Sequence, residues 1–287
     1  LKTPCRNSGS VVESLLQHWH NKEQALSSDG IVAGRSRLAV NFDQNKFGCT
    51  NCGLCFSGCP TDAIFHSDQL LASLLKNPKC RQIDGVFVNR FVNQSDGRLS
   101  LEVYNRRLKE VQLTDQYDNV FLAAGPLSSF RIAAQSLAID DAETEVFDND
   151  MLVFPAYSHK SADRKFSPHK FALSEAAVNI AVDSSPANNV HTQFYAFQPY
   201  FMGNLGSFLF DQATWKSKLP SLLLSRFLLG FMYLPGRNSR SAKFKVKPKP
   251  EQNHWSVEVS ALANPPSQAS FSSALQKMKK SKQFSVT

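Results

Sequence analysis

Four cysteines, Cys49, Cys52, Cys55 and Cys59, fall within eleven residues in the segment CTNCGLCFSGCPTDAIF. Their spacing is C-x2-C-x2-C-x3-C, with Pro60 directly after the last. No other feature of the chain constrains a local fold so tightly. Side chains two or three residues apart can turn toward one centre only if the backbone winds around it in a short loop. Gly53 and Gly58 lie within the run and ease that winding. Only two further cysteines exist, Cys5 and Cys80, so chance clustering is a poor account.

Soft thiolates in this spacing form the run with which bacterial-type ferredoxins hold a [4Fe–4S] cluster. Cys49, Cys52, Cys55 and Cys59 are therefore the candidate metal ligands. In two-cluster ferredoxins the last cysteine of the run serves the other cluster, and no second run is present here. The fourth ligand is thus open between Cys59, Cys5 and Cys80. Structural zinc fits less well, because its CxxC halves are ordinarily separated by a dozen or more residues. A metal-free loop with packed or paired thiols is the remaining reading. Dense disulfide frameworks belong to short secreted chains, so the cysteines argue for a reducing compartment, and a cytoplasmic location is expected.

The chain has 287 residues, 42% of them hydrophobic and 11% aromatic, enough for two ordinary domains or one large one with a sizeable core. It opens on Leu1 without a charged and apolar leader pattern, and it is expected to be the middle of a longer protein. The net charge of +8 is uneven: from Lys216 onward there are thirteen basic and two acidic residues, against nineteen and twenty-two before it. A basic third favours anionic partners, or is a solvated face balanced by an acidic segment that is absent from this chain. No helix-turn-helix, zinc-finger or RNP-like pattern accompanies it, so nucleic acid is not an expected partner.

Hydrophobic periodicity predicts a helix over 11–26, an irregular stretch over 31–44 and a helix over 68–75. Alternation predicts strands at 86–92, 99–104 and 109–114, around the turn Ser95-Asp96-Gly97. A short apolar strand is expected at 119–122, entering Ala123-Ala124-Gly125, with a helix over 130–137. Strands follow at 151–157 and 191–197, then a strand pair at 243–246 and 255–259, and a basic helix over 270–280. The most apolar segment, LPSLLLSRFLLGFMYL at 219–234, is interrupted by Pro220 and Arg226 and is too short to span a bilayer. It is expected to be a buried core helix or, with the basic residues up to Lys249, an interfacial helix giving peripheral membrane contact through 219–249.

Two pieces taken in order resemble the flavin-dependent glucose–methanol–choline oxidoreductase family. CTNCGLCFSGCPTDAIFHSDQLLASLL is similar to a cysteine-bearing loop of some bacterial members. VFLAAGPLSSFRIAAQSL, from Val120 to Leu137, is similar to the family's strand–turn–helix. VFVNRFV, from Val86 to Val92, sits between them where the family has a strand against the adenine of the flavin. The resemblance covers residues 37–140. It implies a mixed α+β and α/β chain: part of a discontinuous, Rossmann-like FAD-binding domain at 1–147, with the cysteine-rich loop at 49–60, and an antiparallel-sheet substrate domain with helices at 148–287. It also implies FAD as cofactor, with Val88, Ala123, Ala124 and Gly125 approaching it, and a small-molecule alcohol as substrate.

Family members oxidise alcohols by hydride transfer to FAD, and the acceptor of those electrons is left open here; the substrate implied is a sugar or a lipid-linked alcohol. The chain departs from the pattern in two ways. No G-x-G-x-x-G follows a strand, and no motif recommends His159, His191 or His254 as the catalytic base. Alone it is not expected to bind FAD tightly or to turn over. The alternative is a [4Fe–4S] ferredoxin-like electron carrier or subunit, with the rest of the chain as scaffold.

Overall fold

The computed structural model describes residues 3–4, 10–43, 47–158, 173–196, 226–249, 254–261 and 268–281. The chain divides into two compact units. One comprises Leu1–Gln69, Asn149–Ser239 and Pro265–Thr287, the other Leu70–Asp148 and Arg240–Asn264. Each is assembled from separate stretches of chain, and one of the junctions falls between Asp148 and Asn149. Elements are numbered in chain order across both units.

The first unit is built on a five-stranded sheet of order β2-β9-β10-β11-β8. Its strands are β2 (Ile31–Arg35), β8 (Met151–Tyr157), β9 (Ala176–Ile180), β10 (Val190–Ala196) and β11 (Phe227–Tyr233). In β10, Val190, Thr192, Phe194 and Ala196 are buried while His191, Gln193 and Tyr195 are half-buried, so alternate side chains go to opposite faces. One face is covered by Val11, Val12 and Trp19 of α1 (Ser10–His20), Leu26 of α2 (Glu23–Ser28), and Ala274 and Met278 of α5 (Gln268–Lys280). Trp19 and Phe154 both pack on Phe194, with ring centroids 5.9 and 6.1 Å away. Each large side chain buried there contributes about 1.5–3 kcal/mol.

Three expectations fail in this unit for identifiable reasons. The helix over 11–26 breaks in two at Asn21 and Lys22. Gln17 donates its side-chain N–H to the Asn21 Oδ1, and the Lys22 N–H reaches back only to the Trp19 carbonyl, tightening the last turn of α1. The stretch 31–44 is not irregular throughout: Ile31–Arg35 is edge strand β2, and β3 (Arg37–Leu38) pairs with β1 (Thr3–Pro4). The segment around 219–234 is neither a core helix nor an interfacial helix over its described part. Phe227–Tyr233 is β11, inside the sheet between β10 and β8, and residues 219–225 lie outside the described residues. A run apolar on both faces fits a buried strand as well as a helix, and Gly230 tips the balance. It stands opposite Phe154, whose ring occupies the space a Cβ would need.

In the second unit, β4 (Val86–Asn93), β5 (Leu99–Asn105) and β6 (Glu110–Leu113) form the expected meander, with Gly97 in its turn at φ 82°. A second sheet has the order β13-β12-β7, from β13 (His254–Ala261), β12 (Ser241–Lys249) and β7 (Glu143–Phe147). Helix α4 (Gly125–Ser136) is pinned to β4 at an irregularity between Val88 and Arg90. Arg131 donates to the carbonyls of Val88 and Asn89, and Ser136 Oγ accepts the Phe91 N–H at 2.8 Å. The expected strand at 119–122 does not form. A strand exists through ladder bonds to a neighbour, and no described residue supplies them to this segment.

The basic stretch is answered by acidic residues of the chain itself. Lys243 pairs with Glu143, Lys245 with Glu143 and Asp141, and Lys247 with Glu258 at 2.8 Å. Among the described residues no helix is long and apolar enough to cross a membrane. Every recorded strand pair among them is antiparallel.

Gly230→Ala forces its methyl into the Phe154 ring, with the Cε2 and Cε1 atoms only 2.7 and 2.8 Å from the new carbon. It is expected to cost about 1–3 kcal/mol, read as a lower denaturant midpoint at unchanged slope. An unchanged midpoint would refute the placement of β11.

Candidate iron–sulfur loop and the adjoining sheet face

The cysteine run occupies a loop of the first unit between β3 and α3 (Ser67–Leu74). Its two ends are brought together by an antiparallel bridge between Val40 and Ile64. Around it, the Asn41 N–H donates to the Ala63 carbonyl at 2.7 Å and the Phe65 N–H to the Ala39 carbonyl at 2.8 Å. Val40 and Ala63 are buried, which anchors this neck. Beyond it the backbone winds through left-handed positions at Asn51 (φ 54°), Gly53 (φ 79°) and Gly58 (φ 104°), with a 3-10 turn over Cys55–Ser57. Asparagine tolerates such a φ and glycine favours it, which is why the run can curl so sharply.

Cys49, Cys55 and Cys59 are half-buried and Cys52 is exposed, and all four are thiols rather than disulfides. Cys59 is held most specifically. Its sulfur accepts the Ala63 N–H at 3.2 Å and lies 3.6 Å from the Thr61 hydroxyl. Burial pushes this thiol up, but hydrogen bonds from the Thr61 side chain and from backbone at Ile64, Thr61 and Ala63 outweigh it and leave the pKa below the ordinary cysteine value. The Cys49 sulfur donates weakly to Asn51 Oδ1 at 3.5 Å. Past the loop, His66 stands between Asp68 and Asp62, whose carboxylates raise its pKa.

Among the described residues no three Cys, His, Asp or Glu side chains converge as ligands of one metal ion do. A tetrahedral zinc site needs that convergence. A [4Fe–4S] cube spreads its four thiolates over four irons, so a wound loop with separated sulfurs, one already receiving N–H and O–H donors, suits it. The donor set fits a cluster. Of the other two cysteines, Cys80 belongs to the second unit and Cys5 lies outside the described residues.

The residues expected to approach FAD all belong to the second unit. Val88 is in β4 opposite Val103, and its carbonyl accepts Arg131 Nη2 at 2.7 Å. Ala123, Ala124 and Gly125 lie exposed at the start of α4, where Gly125 has φ 78° and open space around a would-be Cβ. A side chain there is disfavoured by the backbone rather than by a neighbour. Ahead of them Phe121 is 91% exposed.

One set of residues went unrecognised in the sequence. On the sheet face opposite the helices, Tyr195 O–H donates to Gln193 Oε1 at 2.7 Å, Gln193 Nε2 lies 3.4 Å from His191 Nε2, and His191 Nδ1 lies 2.8 Å from Asn179 Oδ1. Phe56 of the loop packs on Tyr195, with ring centroids 6.3 Å apart. Burial pushes the Tyr195 hydroxyl up to about 12 and holds His191 below its usual value, so both are neutral near pH 7. The signal was present as polar residues at every second place of VHTQFYA, but it belongs to no motif.

A family model described as a 4Fe-4S binding domain matches residues 45–65, the cysteine loop and the returning side of its neck. No curated protein matches the chain. The chain thus carries a 4Fe–4S binding motif in which all four cysteines of the run are included.

Thr61→Val removes a hydroxyl that holds the Cys59 thiol down and is expected to return its pKa toward the ordinary value. In cluster-free protein, alkylation of Cys59 at pH 7 then slows severalfold and its pH midpoint moves up, measured by peptide mass mapping. An unmoved midpoint would show that the hydroxyl does not act on this sulfur.

Proposed function

We propose that this chain carries electrons through a [4Fe–4S] cluster held by Cys49, Cys52, Cys55 and Cys59. The observation that carries the reading is the coincidence of the 4Fe-4S match at residues 45–65 with a loop closed at its neck by Val40 and Ile64. Such a cluster, when bound, supplies reversible one-electron chemistry. The protein's part is to present four thiolates from one loop and to tune them. The Ala63 N–H and the Thr61 hydroxyl stabilise negative charge on the Cys59 sulfur, which favours its use as the fourth ligand over Cys80. The exposed Cys52 places the loop near solvent, where an electron partner has access.

A second reading is favoured by a separate observation. The segment Val120–Ala124 is apolar, yet it lies outside any sheet, with Phe121 largely exposed, and leads into Gly125 at the first turn of α4. This suits a strand–turn–helix that borders a nucleotide, in a chain forming part of a flavin-dependent oxidoreductase acting on an alcohol. In that protein the loop would pass on electrons delivered by the flavin.

Anaerobically purified protein is expected to contain about four irons and four sulfides per chain, with a broad absorbance shoulder that dithionite bleaches. Changing Cys49, Cys52, Cys55 or Cys59 singly to Ala should lower the iron content at least twofold, and Cys80→Ala should leave it unchanged. Less than one iron per chain removes the first reading. Loss of iron in Cys80→Ala with none in Cys59→Ala reassigns the fourth ligand. Flavin bands beside the shoulder in the protein from its native source support the second reading, and their absence removes it.

A further inference from the structure

The sheet face beside the cysteine loop contains a cavity of about 570 Å³, within the usual size range of small-molecule sites. Its shape follows from register. Gly34 of β2, Ala177 of β9 and Gln193 of β10 stand side by side across three strands, and the first two have almost no side chain. The next row is larger: Val32, Asn179 and His191. Two small residues in register thus open a trough, and a Cβ built on Gly34 meets nothing within 4 Å. Tyr195 lines the same cavity and touches Phe56, the neighbour of Cys55.

The polar groups of the trough have fixed polarity. Asn179 Oδ1 can only accept, so the His191 Nδ1 bonded to it carries the proton. The His191 Nε2 is then an acceptor, served by Gln193 Nε2, and the Gln193 Oε1 is served by the Tyr195 hydroxyl. These bonds use neither the Asn179 N–H groups nor the second Gln193 N–H, and Asn179 is exposed, so an acceptor on a ligand would take the place of water there. Among the described residues no carboxylate lines the cavity, and its lining includes Arg37 and Arg35, the latter paired with Glu13. The complementary molecule is flat enough for a trough floored by glycine and alanine, apolar enough to lie against Tyr195, and bears carbonyl oxygens.

We propose that this trough is a binding site for a small quinone-class ring, its carbonyl oxygens received by Asn179 and Gln193. The choice of a redox-active ring, and not of any aromatic carbonyl compound, rests on the electron-transfer reading of the loop. The shape and donor argument for the trough does not.

Duroquinone is a suitable probe, since its fully methylated ring leaves no carbon open to thiol addition, and durene offers the same outline without carbonyls. Isothermal titration of the whole chain, both cluster-loaded and cluster-free, is expected to give one saturable duroquinone site that prefers it to durene at least tenfold. Gly34→Leu enters the trough through a Cβ that meets no neighbour and should weaken binding at least tenfold at unchanged melting temperature. Asn179→Leu should abolish the preference over durene while leaving the cluster absorbance intact. Absence of binding in both forms, or equal affinity of Gly34→Leu and the parent chain, overturns the site. Binding that obeys these rules in protein unable to take up iron upholds the site and places the failure with the cluster reading.

Discussion

Strand β10 is the constraint on which the first unit depends. It runs through the middle of the five-stranded sheet, and its period of two divides its duties without compromise. Phe194 and its buried neighbours belong to the core under the three helices, while Tyr195, Gln193 and His191 belong to the polar row beside the cysteine loop. Slipping the register by one residue would send a tyrosine, an amide and an imidazole into the apolar side and expose Phe194. Core and candidate site therefore stand or fall together. The pairing of β10 with β9 on one side and β11 on the other fixes both at once.

Much of the local structure was legible in the sequence, and what failed did so for specific reasons. The meander at Val86–Leu113 announced itself by alternation and by Gly97, because a two-faced antiparallel sheet writes its period into the chain. The basic helix ending at Lys280 was equally plain. By contrast, Phe227–Tyr233 lacks alternation because its own side chains are apolar on both faces, and periodicity cannot then separate strand from helix. Ala176–Ile180 went unseen for a related reason, being short and composed of small residues that only tertiary pairing makes into a strand. The division into units crosses the sequence repeatedly, so a single boundary near Asp148 describes only one of its junctions.

The candidate site was half legible. Cys49 to Cys59 could be read directly, since thiol chemistry needs no tertiary context to be recognised. The environment of the sulfurs could not. That Cys59 gathers N–H and O–H donors depends on how the chain turns back at Thr61 and Ala63. The polar row was hidden because its members are unremarkable individually and acquire a joint meaning only when the strands carrying Asn179 and His191 are set side by side.

The neck at Val40 and Ile64 gives the cysteine loop a topological independence. The chain leaves the neck and returns to it, and between the two Phe56 rests on Tyr195 of the sheet. A rearrangement inside the loop therefore has two routes to the scaffold, through the bridge at its neck and through the Phe56 ring.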